Sequence, residues 1–257
     1  MNRILAVAEV VIRELIRRKD FYVLFVLTAA ITLLMGSITF FNEDDIARYV
    51  KEICLLLIWL ATLVIAVTTA GRQLPAEKES RTIFPLLAKP ISRTEVLLGK
   101  FLGCWLAVGI TLIVFYVFFG VISVAREHEL PVINYVQSIW LHWMMLGIVA
   151  AAALLGSLVM TSAANMSIVL LGVIGIWTVG EYLNQFAAKS GGVIGWVTYA
   201  VYFGIPHLEI FDIRERIIHG WDPVPWDAVG LASLYALFYM ACLLAAASIL
   251  FRRKPLN

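Results

Sequence analysis

Charge is what this chain has least of. Only 15% of its 257 residues are Asp, Glu, Lys or Arg, against roughly 25% in an ordinary soluble domain. Cysteine is almost missing. Cys54, Cys104 and Cys242 all fall in apolar runs and read as small buried hydrophobes, which leaves no disulfide framework. No G-x-x-x-x-G-K-[ST] loop occurs: Gly99-Lys100 lacks the leading glycine and the following Ser or Thr. No Ser/His/Asp set, H-E-x-x-H or pair of intramembrane carboxylates appears, so the chain is not expected to be an enzyme. A net charge of +2 offers no footprint for nucleic acid. Residues 1–20 lack the continuous apolar core and the small-residue cleavage site of a secretory leader, so none is expected.

What the chain does have is apolar length. Hydrophobic residues make up 61% and the mean hydropathy is +0.89. A bilayer core of ~30 Å needs ~20 apolar residues at 1.5 Å rise each. Runs free of charge extend over Phe21–Asn42, Ile53–Gly71, Phe101–Ala125, Leu130–Gly180 and Ala228–Phe251. Four of them suit one helix each. Leu130–Gly180 suits two, with the small polar stretch Thr161–Asn165 as the turn. The expected fold is therefore an all-α membrane protein of one domain, 1–257, with six transmembrane helices at 21–42, 53–71, 97–124, 138–160, 166–184 and 228–251. Ser190–Leu208 is also uncharged, but Gly191, Gly192, Gly195, Gly204 and Pro206 weaken a helix there. Its aromatic residues suit an interface. Residues 190–226 are read as an outer re-entrant and amphipathic segment of short helices before the last span.

Basic residues orient the spans. With six spans and the N-terminus inside, fourteen Lys and Arg lie on cytoplasmic segments and six outside, while the acids divide six and twelve. That is the positive-inside pattern. A seventh span would put Arg252, Arg253 and Lys254 outside. Both termini are expected in the cytoplasm, and the chain in the inner or plasma membrane.

Residues 1–19 are amphipathic. Ile4, Leu5, Ala8, Val11, Ile12, Leu15 and Ile16 gather on one side of a helix, and Arg3, Glu9, Arg13, Glu14, Arg17 and Arg18 on the other. The pattern predicts a helix lying in the membrane plane, with Arg13, Arg17 and Arg18 toward the headgroups. Beyond Pro206, Leu208, Phe211 and Ile218 predict a short amphipathic helix that Gly220 ends. His207, Glu209, Asp212 and His219 share that stretch, but their spacing matches no standard ligand set, so no metal is expected. His142, between Trp140 and Trp143, reads as an interfacial ring. Glu181, near the outer end of the fifth span, is a candidate for the translocation pathway. Gly99 and Gly103 form a G-x-x-x-G, and Ala150–Ala153, Gly156 and Ser157 a small-residue face. Both suit close helix packing, within the chain or at a dimer seam.

The loop 72–96 between the second and third spans is longer than a connection needs. A charged turn at Glu77–Arg81 leads into Ile83, Phe84, Leu86 and Leu87. Lys89-Pro90 breaks the chain. Ser92 and Glu95 then make a capping box that starts a new helix. A short charged helix with an apolar edge, held on the inner face, is a docking element for a cytoplasmic partner.

Here the sequence resembles the membrane subunit of ABC-2 type transporters. Glu77, Glu79, Thr82, Leu86-Leu87, Pro90-Ile91-Ser92-Arg93 and Leu97-Leu98-Gly99-Lys100 follow the order of the family's coupling helix and its exit. Arg81 stands where the family usually has a small residue. The resemblance implies a permease, mostly an exporter in this family, working as a pair of membrane subunits, a homodimer being expected. Each is coupled to a separate ABC ATPase through Glu77, Glu79, Arg81, Thr82, Phe84, Leu86 and Leu87. No cofactor is implied on this chain, since ATP and Mg are bound by the partner. A membrane scaffold or regulator that docks another cytoplasmic partner is the alternative reading. A secondary transporter would show an internal repeat and broken or charged helices at the midplane, and neither is present.

Overall fold

The computed structural model of the chain describes residues 3–17, 44–79, 92–127, 131–190 and 192–253, with a few positions between 22 and 33. Every regular element among them is helical. In chain order these are α1 (Arg3–Arg17), α2 (Asp44–Glu79), α3 (Arg93–Glu127), α4 (Val132–Ser157), α5 (Ser162–Lys189), α6 (Gly192–Gly204), a 3-10 turn at Leu208–Phe211, α7 (Arg214–His219) and α8 (Trp226–Arg253).

Four helices are long and apolar enough to cross a membrane: Arg48–Pro75, Arg93–Val124, Val132–Ser157 and Trp226–Arg253. They contain or overlap the stretches expected to span at 53–71, 97–124, 138–160 and 228–251. The stretch expected at 166–184 lies in α5, whose apolar part, Ser162–Thr178, is shorter. The stretch 21–42 falls mostly outside the described residues. Residues 44–52, expected as a loop, are the first turns of α2.

The helix α4 is the centre of the bundle, packed on α2, α3, α5 and α8. Its small residues explain this position. Ala150, Ala151, Ala153 and Ser157 are buried, and they let neighbouring backbones come close. Between helices in lipid that closeness, rather than a hydrophobic drive, supplies the attraction. Trp105 of α3 and Trp143 of α4 lock two helices together. Their rings stack at 4.5 Å, and each indole N–H donates to the other's backbone carbonyl, at 3.0 and 2.9 Å. Outward, α3 shows Ile110, Val117 and Val121, and α8 shows Leu231, Leu234 and Phe238. Such apolar faces match hydrocarbon.

The turn between α4 and α5 comes a few residues before the small polar stretch. It occupies 158–161, and Ser162–Asn165 is already helix. Thr161 is extended at the N-cap position. Asn165 then turns its side-chain amide back to the Ala153 carbonyl at 2.8 Å, which ties the new helix to the old one. Of the cysteines, Cys54 and Cys104 are buried but Cys242 is exposed on α8, because α8 buries little of its surface.

Candidate functional site

Two ends of the bundle carry the polar chemistry. At one, α2 ends and α3 begins; this is the loop end. At the other, residues 205–226 sit across the helices as a cap.

The loop end is built on α3. The capping box forms: the Ser92 N–H donates to Glu95 Oε2 at 2.7 Å, and the Glu95 N–H to Ser92 Oγ at 3.2 Å. Each satisfies a donor that a helix start would otherwise leave open. Arg93 reaches the end of α8, where its Nη1 donates to the Phe251 carbonyl at 2.9 Å. Lys100 is buried, and its Nζ donates to Gln73 Oε1 at 3.2 Å, which joins α3 to α2. The pair Gly99 and Gly103 receives α1. A Cβ at Gly99 would stand 2.7 Å from Val7 Cβ and 2.9 Å from the Ile4 carbonyl oxygen. At Gly103 it would stand 2.7 Å from Val11 Cβ. The motif is therefore the seat of α1 within the chain.

The helix α1 buries Ala8 and Val11 and exposes Glu9, Arg13 and Glu14. Arg13 pairs with Glu9 one turn before it, at 2.5 Å. Arg17 is the last residue of the helix, and Arg18 lies outside the described residues. Of the expected docking residues, Glu77 and Glu79 continue α2 as helix, up to its last residue. Arg81, Thr82, Phe84, Leu86 and Leu87 lie outside the described residues. Glu181 lies within α5.

The cap is held by side chains that the sequence reading did not single out. Gln137 of α4 clasps Val224 in both directions: its amide donates to the Val224 carbonyl at 2.7 Å and accepts from the Val224 N–H at 2.9 Å. Asn134 donates to the carbonyls of Arg216 and Trp221, at 3.2 and 2.9 Å. Tyr235 of α8 accepts from the His207 N–H at 2.9 Å. The expected single helix after Pro206 is divided into the 3-10 turn and α7. The cause is Asp212, whose carboxylate accepts from the Arg214 N–H and restarts the chain there. Gly220 ends α7 in the left-handed region, at φ 63°.

Asp212 and Arg214 form the cap's centre. Arg214 donates Nε and Nη2 to the two carboxylate oxygens, at 2.7 and 2.6 Å. Its guanidinium also lies 5.7 Å from the ring of Trp59 and 5.8 Å from that of Trp177. Burial alone would raise the Asp212 carboxyl. The hydrogen bonds and charge of Arg214 outweigh it and hold the group below its ordinary 3.8. The other polar groups of this stretch turn to separate partners, His207 to Glu209 at 3.5 Å and His219 to the face of Trp221.

Beneath the pair is a narrow crevice lined by Trp59, Tyr116, Ser138 and His142. His142 was expected at an interface, but it is 3% exposed. Trp143 packs inward against Trp105 of α3 while Trp140 stays exposed, and Thr62 of α2 meets the His142 ring. The Thr62 hydroxyl donates to the Ile58 carbonyl at 2.8 Å. It is thus left to accept from His142 Nε2 at 3.2 Å. In the neutral ring Nδ1 is then an acceptor, and it has no hydrogen-bond partner among the described residues; nor has Ser138 Oγ. The crevice is too tight to hold even a water molecule, so these groups pack against each other beneath the ion pair. It assembles no nucleophile with a base.

Long apolar helices around a small-residue core, with the described charged groups gathered at two ends, define a multi-pass helical membrane protein. The particular family follows from the sequence itself: residues 5–182 match the model of the ABC-2 family transporter protein, and the chain belongs to that family. The family is a membrane component of ABC transporters, distinct from the ATPase with which it associates. None of the curated proteins compared with the chain matches it.

Proposed function

We propose that the chain is the permease subunit of an ABC exporter and meets its ATPase through the cytoplasmic loop between α2 and α3. The family match carries this reading, since its residues 5–182 take in the loop and both helices that bound it. The construction of the loop end supports it. The capping box, Arg93 and Lys100 tie the exit of the loop to α8 and α2. A push delivered there is therefore passed to helices and not absorbed by slack chain. ATP binding on the partner favours one of two arrangements of the membrane helices, and its hydrolysis releases it.

The working unit is a pair of these chains, each with one ATPase, in the inner or plasma membrane with both termini cytoplasmic. Residues 21–42 and α5 supply the remaining two of six spans. The chain binds no nucleotide; ATP and Mg belong to the partner. Glu181 borders the pathway.

The test is to replace Glu77, Glu79 and Arg81 together. The variant is expected to insert normally, to lose co-purification with its ATPase and to lose ATP-driven transport. Survival of both activities overturns the coupling assignment. If the chain instead captures a cytoplasmic protein without a P-loop, it is a scaffold.

A further inference from the structure

Arg93 does more than begin a helix. We propose that it is a positioning residue that clamps the exit of the docking loop to the last membrane helix, so that movement of the loop is carried along α8 to the cap. The proposal rests on the permease reading and assigns a transmission route within it.

The clamp has three parts. The guanidinium of Arg93 donates to the Phe251 carbonyl at 2.9 Å and reaches the Arg252 carbonyl at 3.4 Å. It also lies 5.8 Å from the Phe251 ring, and Phe251 is buried. Next to it, Thr94 Oγ1 and Ser248 Oγ are 3.0 Å apart. In the return direction, Arg252 donates Nε and Nη2 to Thr94 Oγ1, at 3.2 and 3.0 Å. The last carbonyls of a helix have no partner within it and carry its partial negative charge. A planar guanidinium can serve two of them at once, which an ammonium on a flexible stem does less well. The contacts join residues 154 to 159 apart in sequence.

The helix α8 lies on α4 and α3 by one face, and only 22% of its apolar window is buried. It is nonetheless a continuous rod of 28 residues, about 42 Å long at 1.5 Å per residue. Further along it, toward the cap, Tyr235 accepts from the His207 N–H. A stiff helix that meets the bundle by one face and is fixed to the loop exit and to the cap is suited to carry displacement between them. A local helix cap would need none of the return contacts from Arg252 and Ser248.

The experiment uses the permease with its ATPase in nanodiscs. Cys242 is exposed on α8, while Cys54 and Cys104 are buried, so an environment-sensitive fluorophore on Cys242 reports on α8. In the unaltered complex, trapping with ATP and vanadate is expected to change its emission. In Arg93→Ala the ATPase should still bind and hydrolyse ATP, while that change falls about fivefold or more, the lower range of site-to-site coupling. Arg93→Lys should keep part of the response. A disulfide between Thr94→Cys and Ser248→Cys, closed before labelling, should restore it in the Arg93→Ala chain. A full response in Arg93→Ala, or failure of the disulfide to restore a lost one, overturns the clamp. An unaltered chain that binds no ATPase overturns the permease reading instead.

Discussion

Arg214 shows how one side chain can hold a cap in place. Its fork satisfies both oxygens of Asp212 and its plane lies against two tryptophans from different helices. Arg214→Met should leave the Asp212 carboxylate buried and unpaired, at a cost of about 3–5 kcal/mol, read as lost stability in detergent unfolding. Asp212→Asn leaves the Arg214 cation without its counter-charge but still against the Trp59 and Trp177 rings, so it should cost less. Acid gives an independent check. The folded carboxyl of Asp212 lies below its ordinary 3.8. Its stabilising contribution is therefore complete above that value and is lost as pH falls through the folded pKa. The stability gap between the unaltered chain and Asp212→Asn should stay constant above pH 5, roughly a unit clear of the unfolded group's titration, and close in stronger acid. A gap that narrows already near neutrality would show that another group is responsible.

At the scale of elements, the seat of α1 makes the sharpest demand. Gly99 and Gly103 bring α3 within van der Waals contact of Val7, Ala8 and Val11. Gly103→Ala would drive a methyl against the Val11 Cβ and the Ala8 carbonyl, at 2.7 and 2.8 Å. Overpacking of this kind costs about 1–3 kcal/mol. It should release α1, seen as faster proteolysis within residues 3–17 while α2–α8 stay resistant. Equal resistance of α1 in both chains would mean that the close approach is not needed.

Local rules were legible in the sequence. Ser92 and Glu95 announced a helix start three residues apart, Gly220 a helix end, and the uncharged runs the long helices. What was not legible depends on distant partners. His142 lies between two tryptophans, a pattern that also marks interfaces, and only Thr62 from another helix shows it to be internal. The break at Asp212 depends on a charge pair that periodicity does not register. The G-x-x-x-G at Gly99 and Gly103 named a close contact without naming α1 as its occupant. Arg93 meets a carbonyl 158 residues away, and nothing in either local sequence points to the other.

For the whole molecule, the proposed topology of six spans with both ends in the cytoplasm makes a prediction. On it, a cysteine introduced at Asn257 should react with an impermeant maleimide only after sealed right-side-out vesicles are opened. One introduced at Asp222, in the cap, should react at once. The opposite result at either site reverses the topology and takes the docking loop away from the ATPase.

The seat of α1 also constrains the order of synthesis. Residues 3–17 leave the ribosome long before Gly99 and Gly103 do. At about 5–20 residues per second the intervening chain takes roughly 4–17 s to appear. Throughout that time the first helix has no protein surface to bury its Ala8 and Val11 against. An amphipathic helix can wait at the headgroups of a bilayer. The nascent chain therefore depends on lipid as a temporary partner, and a membrane whose surface binds α1 too tightly would delay its transfer to α3.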